Sequence, residues 1–144
     1  MSAVRDLPPI TVSNRDFDQL VAFGLAAGSH DDPEIGFLLS ELQRATLCAA
    51  PELPGRVVSL NRLVRYRLDE EPVSREDFLV HPRDLVDPDK ELSAASSLGV
   101  ALLGLGIGDS MPFHDPSIGI ERLVHVDGVG PRHCQGLTEI ILGP

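Results

Sequence analysis

The period of the hydrophobic positions changes once along the chain, from helical to alternating. In the first third, Phe17, Leu20, Val21 and Leu25 recur at helical spacing, with Asp16, Asp18 and Gln19 between them. Ser13 or Asn14 is a suitable N-cap. Gly24 and Gly28 thin the pattern, which predicts a helix ending near Ser29. Asp31-Asp32-Pro33-Glu34 then reads as a second start, with Asp32 as cap, Pro33 in the first turn and Glu34 at the positive helix end. Ile35, Leu38, Leu39, Leu42, Ala45 and Ala49 mark one face of that helix, and Pro51 and Pro54 stop it. Two such helices on a short connection form an antiparallel hairpin, a short coiled coil. At roughly 16 residues each they would be about 24 Å long. Alone they bury too little to be stable, so they must lean on the rest of the chain or on a partner. Before them, Pro8-Pro9 and Ile10-Thr11-Val12 describe an extended arm.

From Arg56 the period is two. Val64, Tyr66 and Leu68 alternate with Arg65 and Arg67 as a half-buried strand. After the turn at Asp69–Pro72 a second strand covers Phe78–His81, and Glu91–Ala95 is a short third. Leu98–Leu105 is long enough for two helical turns and ends at Gly106 and Gly108. Ser110–His114 is a strand that Pro112 confines to an edge or a bulge, and Ile120–Asp127 alternates again. The expected fold class is α+β: the helical hairpin, then a small, mostly antiparallel β-sheet domain with one short helix. The expected units are an arm (1–13), the hairpin (14–50), a linker (51–55) and a C-terminal domain (56–144) with a Gly-rich tail from Gly128, whose Leu137, Ile140, Ile141 and Leu142 read as buried.

Composition narrows the function. The chain has 144 residues, 42% of them hydrophobic, which suits one globular domain or two very small ones. It has neither an apolar run of membrane-spanning length nor a secretory signal pattern, so a cytoplasmic protein is expected. The net charge of −10 is spread along the chain and provides no basic stripe for phosphates, so specific nucleic-acid binding is not expected. The basic residues are eleven Arg and one Lys. That bias fits bidentate interface contacts, and it equally fits genome base composition. Cys48 and Cys134 are far apart and outside any zinc or redox spacing. Cys48, among Leu47, Ala49 and Ala50, reads as a small core residue.

Several segments in order carry a family resemblance: Val57-Val58-Ser59-Leu60-Asn61, Val64-Arg65-Tyr66-Arg67, Leu79-Val80-His81-Pro82, then Ser97-Leu98-Gly99-Val100-Ala101-Leu102-Leu103-Gly104 and Gly108-Asp109. Together they resemble the C-terminal domain of the bacterial Gre transcription factors, and most of all the short members of that group. The resemblance covers about residues 10–127, and Ser97 to Asp109 is its most specific part. It implies an FKBP-like C-terminal domain that docks on RNA polymerase near the rim of the secondary channel, with Ser97, Gly99, Leu102, Leu103 and Gly104 among the contacts. It also implies a coiled-coil hairpin at the N-terminus. Two positions depart from the family pattern. Ser97 stands where a proline often precedes the apolar residue, and Leu105 where a basic residue often follows Ala-Leu-Leu-Gly.

The chemistry turns on the hairpin tip, Asp31, Asp32 and Glu34. Gre cleavage factors carry acidic side chains at the end of a long hairpin, where they help the polymerase hold a second Mg²⁺. The plainer reading is a cap and two dipole-complementing carboxylates. Length favours the plainer one: a carboxylate short of the catalytic metal contributes nothing. Arg56, Arg62, Arg65 and Arg67 form the one local basic cluster. They are either a solvent face paired with Glu70, Glu71 or Glu76, or contacts to acidic residues of the polymerase. His30, His81, His114, His125 and His133 show no metal-ligand spacing beyond the adjacent His133-Cys134, so neither a resident metal nor a cofactor is expected. His81 reads as structural. Gly106-Ile107-Gly108 is too little for a nucleotide loop. A prolyl isomerase needs an aromatic-lined pocket, and this chain has no Trp, one Tyr and five Phe. The expectation is a non-enzymatic regulator that competes with Gre factors at the polymerase. A Gre-type cleavage factor and an FKBP-like module with another partner are the alternatives.

Overall fold

The structure is a computed structural model that describes residues 7–27 and 32–132. The extended arm enters a short strand, β1 (Thr11–Ser13), whose Thr11 N–H donates to Gly104 O at 3.1 Å. Helix α1 (Asn14–Ala26) begins on Ser13, whose Oγ accepts from Asp16 N–H at 3.1 Å. Helix α2 (Pro33–Arg44) begins on Asp32 with proline in its first turn. The two helices meet where Gly24 leaves room for Leu39; a Cβ there would lie 2.7 Å from Leu39 Cδ2.

Helix α2 ends before the predicted Ala49. Thr46–Cys48 is instead a strand, β2, parallel to β1, with Thr11 opposite Thr46 and Ser13 opposite Cys48. The reason is tertiary. Thr46 N–H donates to Ile10 O at 2.9 Å, so the arm draws these residues out of the helix. Arg44 closes the helix by a fork onto Glu41 at 2.8 Å and by Nη1 donating to Pro8 O at 2.8 Å. Cys48 is accordingly half-buried on β2 rather than a core residue.

Among the described residues, the main sheet has five strands: β3 (Arg62–Leu68), β4 (Arg75–Val80), β5 (Glu91–Ser93), β6 (Ser110–Asp115) and β7 (Ile120–Arg132), in spatial order β5-β4-β3-β7-β6. Of these five strands, β4 and β5 pair in parallel and the other neighbours are antiparallel. On β3 the predicted alternation holds: Val64, Tyr66 and Leu68 are buried, while Arg65 is exposed and Arg67 partly so. Pro112 lies on β6 at the sheet edge, where its missing N–H is tolerated. Strand β7 runs on through Gly128–Pro131, where the tail was expected to begin. The register against β3 shifts twice along this stretch, so its glycines serve a bulged strand rather than a loop. The apolar residues expected to be buried in the tail lie outside the described residues.

Helix α3 (Ser97–Leu102) is capped by Ser96, whose Oγ accepts from Gly99 N–H at 3.1 Å. It lies so close to the preceding segment that a Cβ on Gly99 would sit 1.9 Å from Ser93 O. Gly104 then turns the chain at φ +83° against Ile10. One continuous apolar core unites Ile10 and Val12 of the arm, Leu20 of α1, Leu38 and Leu42 of α2, Leu102 of α3, and Val64, Leu79, Met111 and Val124 of the sheet. The helices therefore lean on the rest of the chain, as their small buried face requires.

Candidate functional site

The acidic turn meets the start of α3. Asp32 Oδ1 accepts from Glu34 N–H at 2.9 Å and caps α2. Glu34 reaches across to Ser97: its Oε2 accepts from Ser97 N–H at 3.0 Å and from Ser97 Oγ at 3.2 Å. Two sets of residues singled out separately, 63 positions apart, are thus joined at one place. Asp31 and His30 lie outside the described residues, as do His133 and Cys134. Among the described residues, no group of three or more His, Cys, Asp or Glu is gathered to hold a metal ion.

The basic cluster divides in two. Arg65 pairs with Glu76 across the β3–β4 hairpin, with Nη2 at 2.8 Å, both side chains largely exposed. Arg67 forks onto Asp127, with Nε at 2.7 Å and Nη2 at 3.1 Å. That guanidinium, with Ser74 Oγ at 2.6 Å, holds the Asp127 carboxyl below the usual range. Arg56 and Arg62 instead donate to backbone carbonyls. Arg56 Nη2 reaches Ile107 O at 2.7 Å; Arg62 Nε reaches Gly130 O at 2.7 Å, and its Nη2 reaches Gly55 O at 3.3 Å. Neutral acceptors leave these two positive charges to act on their surroundings.

The segment that carries the family resemblance faces inward. Ser97 and Gly99 are buried, Leu102 and Leu103 are 0% and 2% exposed, and Gly104 packs on the arm. Gly99, Leu102, Leu103 and Gly104 thus lie in the interior of this chain, where they seat α3. Leu105 is also fully buried, and its carbonyl accepts from Val58 N–H at 2.8 Å, so a basic residue would have no place there.

Three features escaped the sequence. Arg122 is held among Asp69 at 2.8 Å, Asp115 at 3.3 Å and Glu71 at 3.9 Å, near the turn of the β6–β7 hairpin. The Leu123 N–H, then Arg122, holds Asp69 below the usual carboxylate range. Tyr66 donates to Asp77 at 2.5 Å; burial first, then this bond, pushes the phenol far up. The third is an apolar groove of about 440 Å³ between the start of α2, Ser97 and strand β6. Each joins residues of different elements, and no local spacing signals them. His81 is 2% exposed, with its ring edge on Phe23 and Nδ1 accepting from Arg83 N–H at 3.1 Å, which fits the structural role expected of it.

No family model matches the chain. Over 79 residues it is 38% identical to the regulator of nucleoside diphosphate kinase of Escherichia coli K12, and equally so to that of Shigella flexneri. The match takes in 55% of this chain and 58% of each relative, so the chain spans a little over half the length of the curated relatives it matches. Among solved structures, the prokaryotic transcription elongation factor GreA/GreB from Nitrosomonas europaea superposes with a TM-score of 0.68 at 29% identity, over 85% of this chain and 99% of that one. The resemblance read from the residues is borne out: the chain is similar to the regulators of nucleoside diphosphate kinase and has a GreA-like mixed α+β fold. Among the described residues, no helix is long and apolar enough to cross a membrane.

Proposed function

We propose that this protein is a non-enzymatic transcription regulator that binds bacterial RNA polymerase at the rim of the secondary channel. There it competes with Gre factors without cleaving RNA. In this reading residues 56–144 are the docking unit, FKBP-like in build, and the helices of residues 14–50 form the hairpin that fills the channel mouth. Arg56 and Arg62 are its foremost contacts to acidic polymerase residues, with Arg65 and Arg67 available by exchanging their internal partners. The protein works in the cytoplasm and reads no nucleic-acid sequence of its own.

The observation that carries the reading is the bond from Glu34 to Ser97. A cleavage factor must carry a carboxylate outward to the catalytic metal. Here the acidic turn is tied down beside α3, at the end of a 12-residue helix only about 18 Å long. Competition for core RNA polymerase against a Gre factor tests docking, and RNA shortening in a backtracked complex tests cleavage. Displacement without shortening is the expected pair of results. Shortening would make the protein a cleavage factor, and absence of binding at physiological salt would assign the fold to another partner.

A further inference from the structure

We propose that the groove between α2 and β6 seats an apolar side chain carried on a basic segment of a protein partner. Its walls are Pro33 and Phe37 of α2 on one side and Pro112, Phe113 and Pro116 on the other. Phe113 is 4% exposed and forms a floor, while Phe37 is half-buried and flanks the opening. The volume of about 440 Å³ lies in the roughly 300–1,000 Å³ range of pockets that bury a ligand. An aromatic or aliphatic anchor in such a pocket is the usual centre of a protein interface.

The rim decides the partner. Asp32, Glu34 and Glu121 line the opening, with His114 and Ser97 beside them. Among the described residues, Asp32 and Glu34 accept from neutral groups, a backbone N–H in one case and the Ser97 N–H and hydroxyl in the other, and these bonds leave their negative charges in place. An apolar floor inside an acidic rim complements an apolar residue with Lys or Arg on either side. It repels the phosphates of a nucleic acid. It also repels a second copy of this chain, whose net charge is −10. Strand addition is disfavoured at this edge because Pro112 has no N–H to give. This deepens the polymerase reading by naming the chemistry of the segment gripped.

The test uses the intact protein and no polymerase, so its outcome is separate from that of the docking assay. The probes are labelled 12-residue peptides with one central Phe, Leu, Met or Tyr, flanked on both sides by Lys and Arg. Controls carry Glu in place of the basic residues, or Ser in place of the anchor. The expected result is saturable binding of at least one basic peptide, at least tenfold weaker for its Glu-flanked and Ser-centred controls. The amide signals of Phe37 and His114 should shift while those of Val73, in the β3–β4 turn, stay fixed. Glu121→Arg, at an exposed strand position, should weaken binding at least tenfold, and Phe37→Ser should do the same. The proposal is overturned by absence of saturable binding, by equal affinity for the Glu-flanked peptide, or by shifts confined elsewhere. Groove signals that move with protein concentration alone would assign the groove to a second copy and overturn it as well.

Discussion

Replacing Glu34 by Ala removes the acceptor for two donors at the start of α3. Ser97 N–H lies 3.0 Å and Ser97 Oγ 3.2 Å from Glu34 Oε2, and Ser97 is only 7% exposed. Hydrogen bonds to a charged group contribute about 1.5–3 kcal/mol net, and a buried N–H left without an acceptor costs about 1–3 kcal/mol. The Glu34 side chain is half exposed, so water takes up part of that loss and the lower end applies: about 2 kcal/mol for Glu34→Ala. For a chain of 144 residues that corresponds to a fall in Tm of about 8 °C, at about 4 °C per kcal/mol. Glu34→Gln keeps an acceptor oxygen and should lose about half as much, whereas Ser97→Ala keeps the N–H bond and should lose about 0.5–1 kcal/mol. Urea denaturation gives the energies, and hydrogen exchange at the Ser97 amide reports the bond itself. A loss under about 0.5 kcal/mol for Glu34→Ala, with Ser97 exchange unchanged, would refute the tie between α2 and α3.

Two glycines should respond oppositely. Gly99→Ala forces a Cβ against Ser93 O at 1.9 Å and should cost more than about 3 kcal/mol in urea, whereas Gly36→Ala, inside α2 with nothing within 4 Å, should gain about 0.5–1 kcal/mol. Asp16 is buried, its Oδ2 accepts from Leu60 N–H at 3.1 Å, and desolvation raises its carboxyl above 3.8. The folded state therefore binds the proton more tightly than the unfolded state, and this group's contribution to stability falls as pH rises through the interval just above 3.8. Asp16→Asn removes that dependence, so wild type should lose stability relative to the variant as pH rises above 3.8; parallel pH curves would refute it. Arg65→Glu replaces an exposed pair with Glu76 by two like charges in a solvated position and should cost about 1 kcal/mol, so any larger fall in polymerase affinity reports a contact at that face.

The elements whose signal is local were legible. The spacing of Phe17, Leu20 and Val21 marks α1, Asp32-Pro33-Glu34 marks the start of α2, and Val64, Tyr66 and Leu68 mark the buried face of β3. The misreadings share one cause, pairing between distant segments. Thr46–Cys48 follows a helical pattern until β1 offers it a strand partner. Gly128 and Gly130 read as a loop until β3 shows them to be bulged positions of a paired strand. At the site, a family resemblance picks out residues without saying which way they face. Gly99, Leu102 and Leu103 resemble the family because α3 must pack, not because they are exposed. The joining of Glu34 to Ser97, and the groove beside it, exist only once α2 and α3 meet.

Strand β7 lies between β3 and β6, yet it follows every other described strand in the chain. Its partners on β3, such as Arg67 opposite His125, are about 60 residues earlier. On the ribosome the β3–β4 hairpin therefore emerges without the neighbour that completes it, and an isolated hairpin is at best marginally stable in water. Val64, Tyr66 and Leu68 must wait in an unfinished core until residues near Arg132 have been synthesised. Closure of the sheet is then a late, long-range event of the kind that slows folding and leaves hydrophobic edges open. The last described strand to be translated decides when the sheet that any partner would meet is complete, and a ribosome stalled before Ile120 would present a chain for chaperones rather than for partners.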